Sequence, residues 1–277
     1  MKTYYIEKRD KPKLKIKKYK INDDNLYIYD KLEKNKNIEK IVKKLEKEGV
    51  TNIVLSHEIQ KNKNFINAIN ANNIRIFDGR WLEKYLIPEI LEYVINNKNI
   101  KKEECEIAVA TNEITDIGIE TIKNLARQYK KLTVVTNHIE RLKKIEKELY
   151  SNEGILIVIS NNKKKSLAKS QIILNLDFNN QILNQYRLNE NAVILNVEGG
   201  IKINSKRFCG LNINNYEIEI SKEECIWREN MNVFQKKDLL EAKLYARDTL
   251  KNIRKKINES KVTVRQLFGE NGKIVIV

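Results

Sequence analysis

The second half of the chain alternates short apolar runs with amphipathic helical patterns, and no other feature restricts the possible folds as strongly. Short buried strands separated by helices are typical of a parallel sheet that is covered on both faces. Right-handed crossovers between such strands make a doubly wound sheet the economical arrangement. The sequence therefore predicts five parallel strands, at Ile107–Ala110, Leu132–Thr136, Ile155–Ile159, Ile172–Leu176 and Ala192–Val197.

The first part of the chain shows the same alternation and predicts strands at Leu26–Tyr29, Ile53–Leu55 and Ile74–Phe77. A further helical pattern runs from Trp81 to about Asn96, and Pro88 inside it predicts a kink or a new helix start. The polar segment 96–104 has no apolar period and is the best candidate for a linker. We therefore expect an N-terminal α/β domain over residues 1–98 and a doubly wound domain over residues 105–218.

Residues 219–277 are predicted to form a helical segment that returns to the N-terminal domain. An apolar stripe from Phe234 to Ile257 indicates one long helix, which we expect to pack on that domain. Strand-like runs also occur over Phe208–Ile213, Val262–Val264 and Ile274–Val277. The predicted fold class is α/β, with two α/β domains and a long C-terminal helix packing back on the first.

Composition is typical of a globular protein. Hydrophobic residues make up 41% and charged residues 32% of the 277 residues, and no stretch approaches the ~18 consecutive apolar residues of a membrane span. The N-terminal sequence lacks the apolar core of a signal peptide, which predicts a cytoplasmic location and no membrane partner. Cys105, Cys209 and Cys225 have no CxxC spacing, and His57 and His138 are the only imidazoles. A metal site is therefore not expected, and the thiols are predicted to be reduced.

Lys and Arg neutralise phosphates, so the net charge of +16 keeps nucleic acid as an alternative partner. The charge alone does not favour nucleic acid. The densest basic run, Lys8–Lys20, alternates Lys13, Lys15 and Lys17 with apolar residues, which predicts a strand with one lysine face. Such charge also protects an edge strand from pairing with another edge. Nucleic-acid readers rely on Arg and on stacked aromatic rings, and aromatic residues make up only 7% here.

The stretch Glu106–Gly118, EIAVATNEITDIG, occupies the position of a dinucleotide phosphate loop. It has the required order of strand, polar turn and helix. Of the three glycines in G-x-G-x-x-G, only Gly118 could stand in for one. Asn112 and Asp116 are interpreted as turn residues that cap the helix beginning near Ile117, and the charge of Asp116 would repel a pyrophosphate. The loop therefore indicates a Rossmann-like architecture with a degenerate cofactor site.

Residues 105–215 resemble the NAD(P)-binding domains of shikimate dehydrogenase and glutamyl-tRNA reductase. The resemblance lies in the strand order, in a polar residue after the second strand, and in the strand QIILNL that precedes a loop. The chain as a whole also resembles a bacterial protein family of this length, and this second resemblance implies no activity. The first implies an NAD(P) site at the strand ends, with the candidate residues Thr111, Asn112, Gly118, Thr136, Asn137, Arg141 and Asp177.

The end of the second strand of this domain departs from the usual NAD site. Val135 is followed by neutral Thr136 and Asn137, where an NAD site usually has an Asp or Glu that binds the ribose hydroxyls. Neutral residues at this position are more typical of sites that accept a 2′-phosphate, for which Arg141 would supply the cation. The run Lys163–Lys165 is interpreted either as an anion site at a helix start or as solvated charge.

Two strand ends of the N-terminal domain carry candidate catalytic residues. His57 and Asp78 would form an acid/base pair, because His titrates near neutral pH and a carboxylate fixes its tautomer, and Arg80 would bind an anionic substrate. The alternative is structural, with Ser56 capping the next helix and Asp78-Gly79 forming a turn.

These patterns favour a ligand-binding or interaction protein with a degenerate Rossmann-like domain over an enzyme. One alternative is an NAD(P)-dependent oxidoreductase with an atypical phosphate loop, and a second is a basic nucleic-acid-binding protein. NAD(P) is the only cofactor suggested, and the partner, a small molecule or a protein, is not identified. Dinucleotide binding separates the first two hypotheses, and a salt titration against DNA or RNA isolates the third.

Overall fold

Contacts divide the chain into two units, each built from strands and helices. The computed structural model describes residues 3–8, 17–21, 24–29, 35–197, 199–204, 206–221, 233–245 and 249–276. Unit 1 contains Met1–Leu82 and Ile220–Val262, and unit 2 contains Glu83–Glu219 and Thr263–Val277.

Strands and helices follow one another along most of the chain. The strands are β1 (Thr3–Lys8), β2 (Lys17–Ile21), β3 (Asp24–Tyr29), β4 (Asn52–Leu55), β5 (Arg75–Phe77), β6 (Glu106–Ala110), β7 (Lys131–Val135), β8 (Val158–Ser160), β9 (Ile172–Asn175), β10 (Val193–Asn196), β11 (Leu211–Ile213), β12 (Asn215–Ile220), β13 (Val262–Gly269) and β14 (Gly272–Lys273). The helices are α1 (Asn35–Lys47), α2 (His57–Gln60), α3 (Lys63–Ala71), α4 (Arg80–Asn97), α5 (Asp116–Gln128), α6 (Ile139–Glu153), α7 (Lys163–Lys169), α8 (Asn180–Asn184), α9 (Lys236–Leu244) and α10 (Leu250–Glu259).

Unit 1 is built on five strands in the order β2-β3-β1-β4-β5. β1 lies parallel to β3 and β4, β4 lies parallel to β5, and β2 is antiparallel to β3. The strands predicted at Leu26–Tyr29, Ile53–Leu55 and Ile74–Phe77 are confirmed as β3, β4 and β5. Most of the predicted lysine-faced strand falls on residues 9–16, which lie outside the described residues.

Both faces of the unit 1 sheet are buried. On one face Ile53 packs with Leu45 of α1 and Phe65 of α3. On the other face Val54 packs with Phe77 of β5 and Leu239 of α9. Successive side chains of a strand point to opposite faces, so a strand covered on both sides needs apolar residues at every position. This explains the continuous apolar run in β4.

Helix α4 runs unbroken from Arg80 to Asn97 with Pro88 inside it. Proline removes one backbone N–H from the helical hydrogen bonds, which is tolerated where the rest of the helix is held by packing. Leu86 and Ile90, on either side of Pro88, are fully buried. The predicted new helix start at Pro88 is therefore wrong.

The C-terminal region contains two helices rather than the single long helix predicted over Phe234–Ile257. α9 ends where Tyr245 takes an extended backbone conformation, with ψ at 127°. This places the Tyr245 ring 5.1 Å from Trp81 and 5.3 Å from Phe77, between ring centroids. Thr249 then caps the start of α10. The prediction was wrong because the apolar stripe of the sequence continues past Tyr245 and so does not mark the end of α9.

Unit 2 is built on six parallel strands in the order β11-β10-β9-β6-β7-β8. Counted from β8, this is the 3-2-1-4-5-6 order of a Rossmann sheet. The doubly wound sheet is thereby confirmed, and β11 is the extra strand predicted within Phe208–Ile213. The strand order reverses between β6 and β9, and ligands of such sheets bind outside the carboxyl ends of the strands at this reversal.

A smaller three-stranded sheet contains β12, β13 and β14. The strand predicted at Val262–Val264 is longer than expected, because β13 continues to Gly269. The strand predicted at Ile274–Val277 is wrong for residues 274–276, which have no strand conformation, and Val277 lies outside the described residues. Ile274 still lies beside β13, because its backbone N–H donates to the Leu267 carbonyl (2.9 Å) and the Gln266 side chain donates to its carbonyl (2.6 Å).

Candidate functional site

The loop after β6 lies at the reversal of strand order, but its backbone amides are bound by a side chain of the protein. Asp177, which follows β9, accepts hydrogen bonds from the backbone N–H of Asn112 (2.8 Å) and of Glu113 (2.6 Å) and from the Thr111 hydroxyl (2.8 Å). Amides of this loop bind the pyrophosphate in a Rossmann site. An internal carboxylate therefore takes the position of a cofactor phosphate.

The first turn of α5 is also capped by a side chain of the protein. The cap is Thr115, whose hydroxyl accepts from the Gly118 amide at 3.1 Å, and not Asn112 or Asp116 as predicted. Asp116 is instead the first residue of the helix. Gly118 is buried, and a Cβ atom there would lie 3.2 Å from the Thr115 hydroxyl oxygen. Gly118 thus permits close packing at the helix start.

The polar residues at the end of β7 bind other residues of unit 2. The Asn137 amide donates to the Asn112 side-chain oxygen (3.0 Å), and the Lys163 ammonium donates to the Asn137 side-chain oxygen. The Thr136 hydroxyl accepts from a backbone amide two residues further along (3.0 Å). Arg141 is exposed on α6. Asn112 and Asn137 therefore lie side by side. The hydrogen bond between them joins the two residues to each other.

The lysine run at the start of α7 divides into buried and exposed members. Lys163 is buried, and the Asn162 side chain caps the helix by accepting from the Lys165 amide (3.0 Å). Lys164 and Lys165 are exposed. The capped helix start favours the interpretation of these two lysines as solvated charge.

One cavity at the reversal of strand order is lined by described residues only, and it is small. This cavity measures about 30 Å³ and is lined by Lys84, Ile87, Thr111, Glu113, Thr115, Ile117, Gly118, Thr121, Leu176, Asp177 and Val197. Pockets for cofactors and drug-sized ligands measure about 300–1,000 Å³. The cavity is therefore much smaller than a dinucleotide.

An asparagine network closes the neighbouring strand ends. Asn175 donates to the side-chain oxygen of Asn196 (3.0 Å), and Asn196 donates to Asn212 (2.8 Å), to Asn214 (3.1 Å) and to the Ile213 carbonyl (3.0 Å). Asn175 and Asn196 face each other across β9 and β10 and are almost completely buried. Each of these two buried amides therefore finds a hydrogen-bond partner within the sheet. This network was not predicted from the sequence, although asparagine at the end of two adjacent strands was its signal.

Unit 1 has a larger opening beside its outer strand β5. This groove has a volume of about 930 Å³ and is lined by Thr51, Asn52, Leu55, Gln60, Ile66, Asn70, Asn73, Ile74, Arg75, Ile76, Asp78, Arg80 and Tyr245. The Arg75 guanidinium lies 4.5 Å from the centroid of the Tyr245 ring, which orients it by a cation–π contact. The groove thus combines two guanidinium groups, amides and one carboxylate on an apolar floor.

Of the three candidate catalytic residues, Asp78 and Arg80 line this groove. Asp78 accepts from the Arg80 amide (3.1 Å) and lies 3.3 Å from the Arg80 Nε. Gly79 between them has φ +84°, as the predicted turn requires. His57 is exposed at the start of α2, and among the described residues no hydrogen bond joins it to Asp78. Ser56 has the N-cap position of α2 but makes no side-chain cap bond.

Two buried acids on α9 were not identified from the sequence. Asp238 accepts from the Gln60 side chain (2.7 Å), and Glu241 accepts from the Gly79 amide. Burial raises the pKa of Asp238 to about 7, against the opposing effect of Lys237, and raises the pKa of Glu241 to about 8, with Asp78 adding to the rise. Each acid has one buried oxygen without a hydrogen-bond partner among the described residues. Unit 1 therefore contains two carboxyls that hold a proton more tightly than exposed carboxyls do.

The described cysteines differ in access, and we expect them to differ in reactivity. Burial raises the pKa of the Cys105 thiol to about 11, with Glu106 adding to the rise, whereas Cys209 is exposed. Because the thiolate is the reactive form, a maleimide should modify Cys209 in the native protein and Cys105 only after denaturation. Intact-mass measurement of a Cys225→Ser variant tests this, since Cys225 lies outside the described residues. Rapid native modification of Cys105 would contradict its burial.

Within the described ranges, no three His, Cys, Asp or Glu side chains are grouped so that they could hold a metal ion. In the same ranges, no helix combines the length and the apolar character that crossing a membrane requires.

No protein-family model and no curated protein matches the chain. Among solved structures, the chain is similar to the dipicolinate synthase A chain from Bacillus subtilis, with 12% identity, a TM-score of 0.31 and coverage of 52% of this chain and 48% of that one. The L-tryptophan dehydrogenase from Nostoc punctiforme has 6% identity, a TM-score of 0.32 and coverage of 74% and 65%. A shikimate 5-dehydrogenase-like protein has 11% identity, a TM-score of 0.23 and coverage of 64% and 66%.

The chain spans about half the length of the dipicolinate synthase chain. Solved structures similar to the chain thus include dehydrogenases, at low identity. The Rossmann-like assignment of unit 2 is independent of them, because it follows from the strand order of its sheet.

Proposed function

We propose that the protein binds an anionic ligand in unit 1 without redox turnover, and that the Rossmann-like unit 2 is a scaffold that holds no dinucleotide. The observation that carries the proposal is the Asp177 carboxylate, which accepts hydrogen bonds from two amides of the loop after β6. A pyrophosphate would have to displace this negative charge and break bonds that are already formed. Charge-assisted hydrogen bonds are among the stronger ones in proteins, so this exchange is unfavourable.

The size of the cavity at the strand reversal supports the same proposal. A space of about 30 Å³ is about a tenth of the roughly 300 Å³ at which cofactor and ligand pockets begin. The asparagine network further ties the ends of β9, β10 and β11 together. Opening this edge of the sheet to a dinucleotide would therefore cost several internal hydrogen bonds.

The groove beside β5 supports the second part of the proposal. Arg75 and Arg80 line it, and guanidinium groups bind carboxylates and phosphates through two parallel hydrogen bonds. Asp78 partly compensates Arg80, while Tyr245 orients Arg75. A volume of about 930 Å³ is in the range of small-molecule sites. The ligand expected there is a small molecule with one or more anionic groups.

Thermal melts with NAD, NADH, NADP and NADPH test the first part. A ligand at ~100 times its Kd adds about 2.7 kcal/mol of stability, which is several degrees at roughly 2–4 °C per kcal/mol for a chain of this size. We expect no shift with any of the four. A shift of several degrees with one of them would contradict the proposal and favour the oxidoreductase alternative.

Melts with inorganic phosphate and with succinate as probes test the second part. A shift in the wild type that is lost in Arg75→Gln/Arg80→Gln is the expected result. Arg141→Gln is the matched control, because Arg141 is exposed on α6 of unit 2. An equal shift in the double variant, or no shift with either anion, would contradict an anion site in this groove.

A further inference from the structure

The outer strand of the unit 2 sheet carries an unusual exposed apolar surface. Only four large hydrophobic side chains of the described residues are strongly exposed, and two of them, Leu156 and Val158, lie just before β8 and at its first residue. Leu156 is 71% exposed and Val158 is 57% exposed. Exposed apolar edge strands are normally protected, because they are templates for pairing with another chain. This edge therefore has the character of a docking surface.

The backbone of β8 is arranged to accept another strand. The Ser160 carbonyl accepts from the Thr136 amide (3.0 Å), so it points inward, toward β7. In a parallel pair, successive residues direct their backbone groups to alternate sides. The N–H and C=O of Ile159 therefore point outward, and the described residues place no further strand on that side of β8.

Next to this edge lies a basic groove that is lined by residues of β6, β7, β8 and α7. It has a volume of about 720 Å³, and its lining includes Leu156, Val158 and the lysines Lys130, Lys131, Lys165 and Lys169. Glu106 is the single acid of the lining, and it already pairs with Lys169 (3.0 Å) and with Lys131 (3.7 Å). The groove thus keeps an excess of positive charge next to an apolar strip.

We propose that the β8 edge is an interaction surface for an extended acidic segment of a partner protein, which adds a strand to β8. Main-chain hydrogen bonds to Ile159 would hold the segment, as in other cases of strand addition. Its apolar side chains would cover Leu156 and Val158, and its carboxylates would face Lys165 and Lys169. The inference does not depend on the anion site of unit 1, because the two use different residues.

The charges of the edge argue against other occupants. In a two-fold dimer the same patch meets its copy, so the lysines of two copies would face one another. Single-stranded nucleic acid needs aromatic rings for stacking, and the lining has none. An acidic polypeptide would pair its carboxylates with the lysines and its main chain with the open strand edge.

Fluorescence anisotropy with a labelled peptide of about eight residues, in which Glu alternates with Val, tests the proposal, since this length matches a typical strand. A peptide with Lys in place of Glu and a single-stranded thymidine oligonucleotide are the comparison probes. We expect binding of the Glu peptide alone, weakened by salt because the groove is solvent-accessible.

Lys165→Glu/Lys169→Glu should weaken binding of the Glu peptide by about tenfold or more, that is, by at least about 1.4 kcal/mol. Lys144→Glu/Lys147→Glu is the control, with the same charge change on the exposed side of α6. Ile159→Pro should also weaken binding, because proline removes an outward N–H without removing a bond to β7. Circular dichroism confirms that each variant is folded.

The proposal is overturned if the Glu peptide does not bind, or if both lysine variants bind it equally. Tighter binding of the oligonucleotide than of the Glu peptide would also overturn it. So would a dimer in light scattering that Val158→Glu converts to a monomer, since the edge would then be occupied by a second copy.

Discussion

Raising the pH from about 5 to about 9 should lower the free energy of unfolding of unit 1 by on the order of 6 kcal/mol. Burial raises the pKa of Asp238 from 3.8 to about 7 and that of Glu241 from 4.5 to about 8. Both groups therefore bind protons more tightly in the folded state than in the unfolded state. Their contribution to stability is complete below about pH 4 and is lost as the pH rises through 7 and 8.

The groups around the two acids determine how steep this loss is. Lys237 and the Gln60 amide favour the ionised form of Asp238, whereas Asp78 disfavours it. The Gly79 amide favours the ionised form of Glu241, and Asp238 itself opposes it. Because the two acids repel each other when both are ionised, their protons leave as a coupled pair. The loss of stability should therefore extend over several pH units.

Urea unfolding at a series of pH values, followed by circular dichroism, measures this effect. Asp238→Asn/Glu241→Gln should give a flatter pH profile and exceed the wild type in stability at alkaline pH. Glu39→Gln/Glu46→Gln is the matched control, because it removes the same charge from exposed positions of α1 in unit 1. If the wild type and the buried-pair variant lose stability in parallel, the acids are not protonated in the folded state.

The sequence predicts the strands of unit 2 well where both of their faces are buried. β6, β7, β9 and β10 begin and end within one residue of the predicted positions, because their inner positions are mostly apolar and buried and polar residues lie at their ends. The outer strand β8 begins three residues later than predicted, at Val158 instead of Ile155. An edge strand pairs on one side only, so apolar sequence there does not fix its length.

The contacts that define the candidate sites could not be predicted in the same way. The position of Asp177 at a strand end was predicted, but its partners are 64 to 66 residues away in the sequence. A carboxylate at such a position binds either a ligand or a neighbouring loop, and no local pattern distinguishes the two. The sequence KKDLLEAKL of α9 likewise suggests a solvated charged face. In the structure both acids are buried, because α9 packs against the sheet with nearly its whole circumference covered.

Asn196→Leu should lower the free energy of unfolding of unit 2 by about 3–5 kcal/mol, because the buried Asn175 amide and the Ile213 carbonyl each lose a hydrogen bond at about 1–3 kcal/mol. Asn196 is completely buried and donates to the Ile213 carbonyl and to the side chains of Asn212 and Asn214, while it accepts from Asn175. Leucine has the same number and branching of side-chain heavy atoms, so the substitution leaves no cavity.

Two further variants separate the network from a general effect of losing an amide. Asn152→Leu, at an exposed position of α6, should change stability by less than about 0.5 kcal/mol, as surface substitutions usually do. Asn196→Asp keeps the acceptor for Asn175 but, when ionised, has no hydrogen to donate to the three oxygens that Asn196 binds, and it buries a charge. Its stability should therefore fall as the pH rises, whereas that of Asn196→Leu should be low at every pH. Urea unfolding of the three variants measures these differences, and a loss below about 1 kcal/mol for Asn196→Leu would mean that the network does not hold the strand ends together.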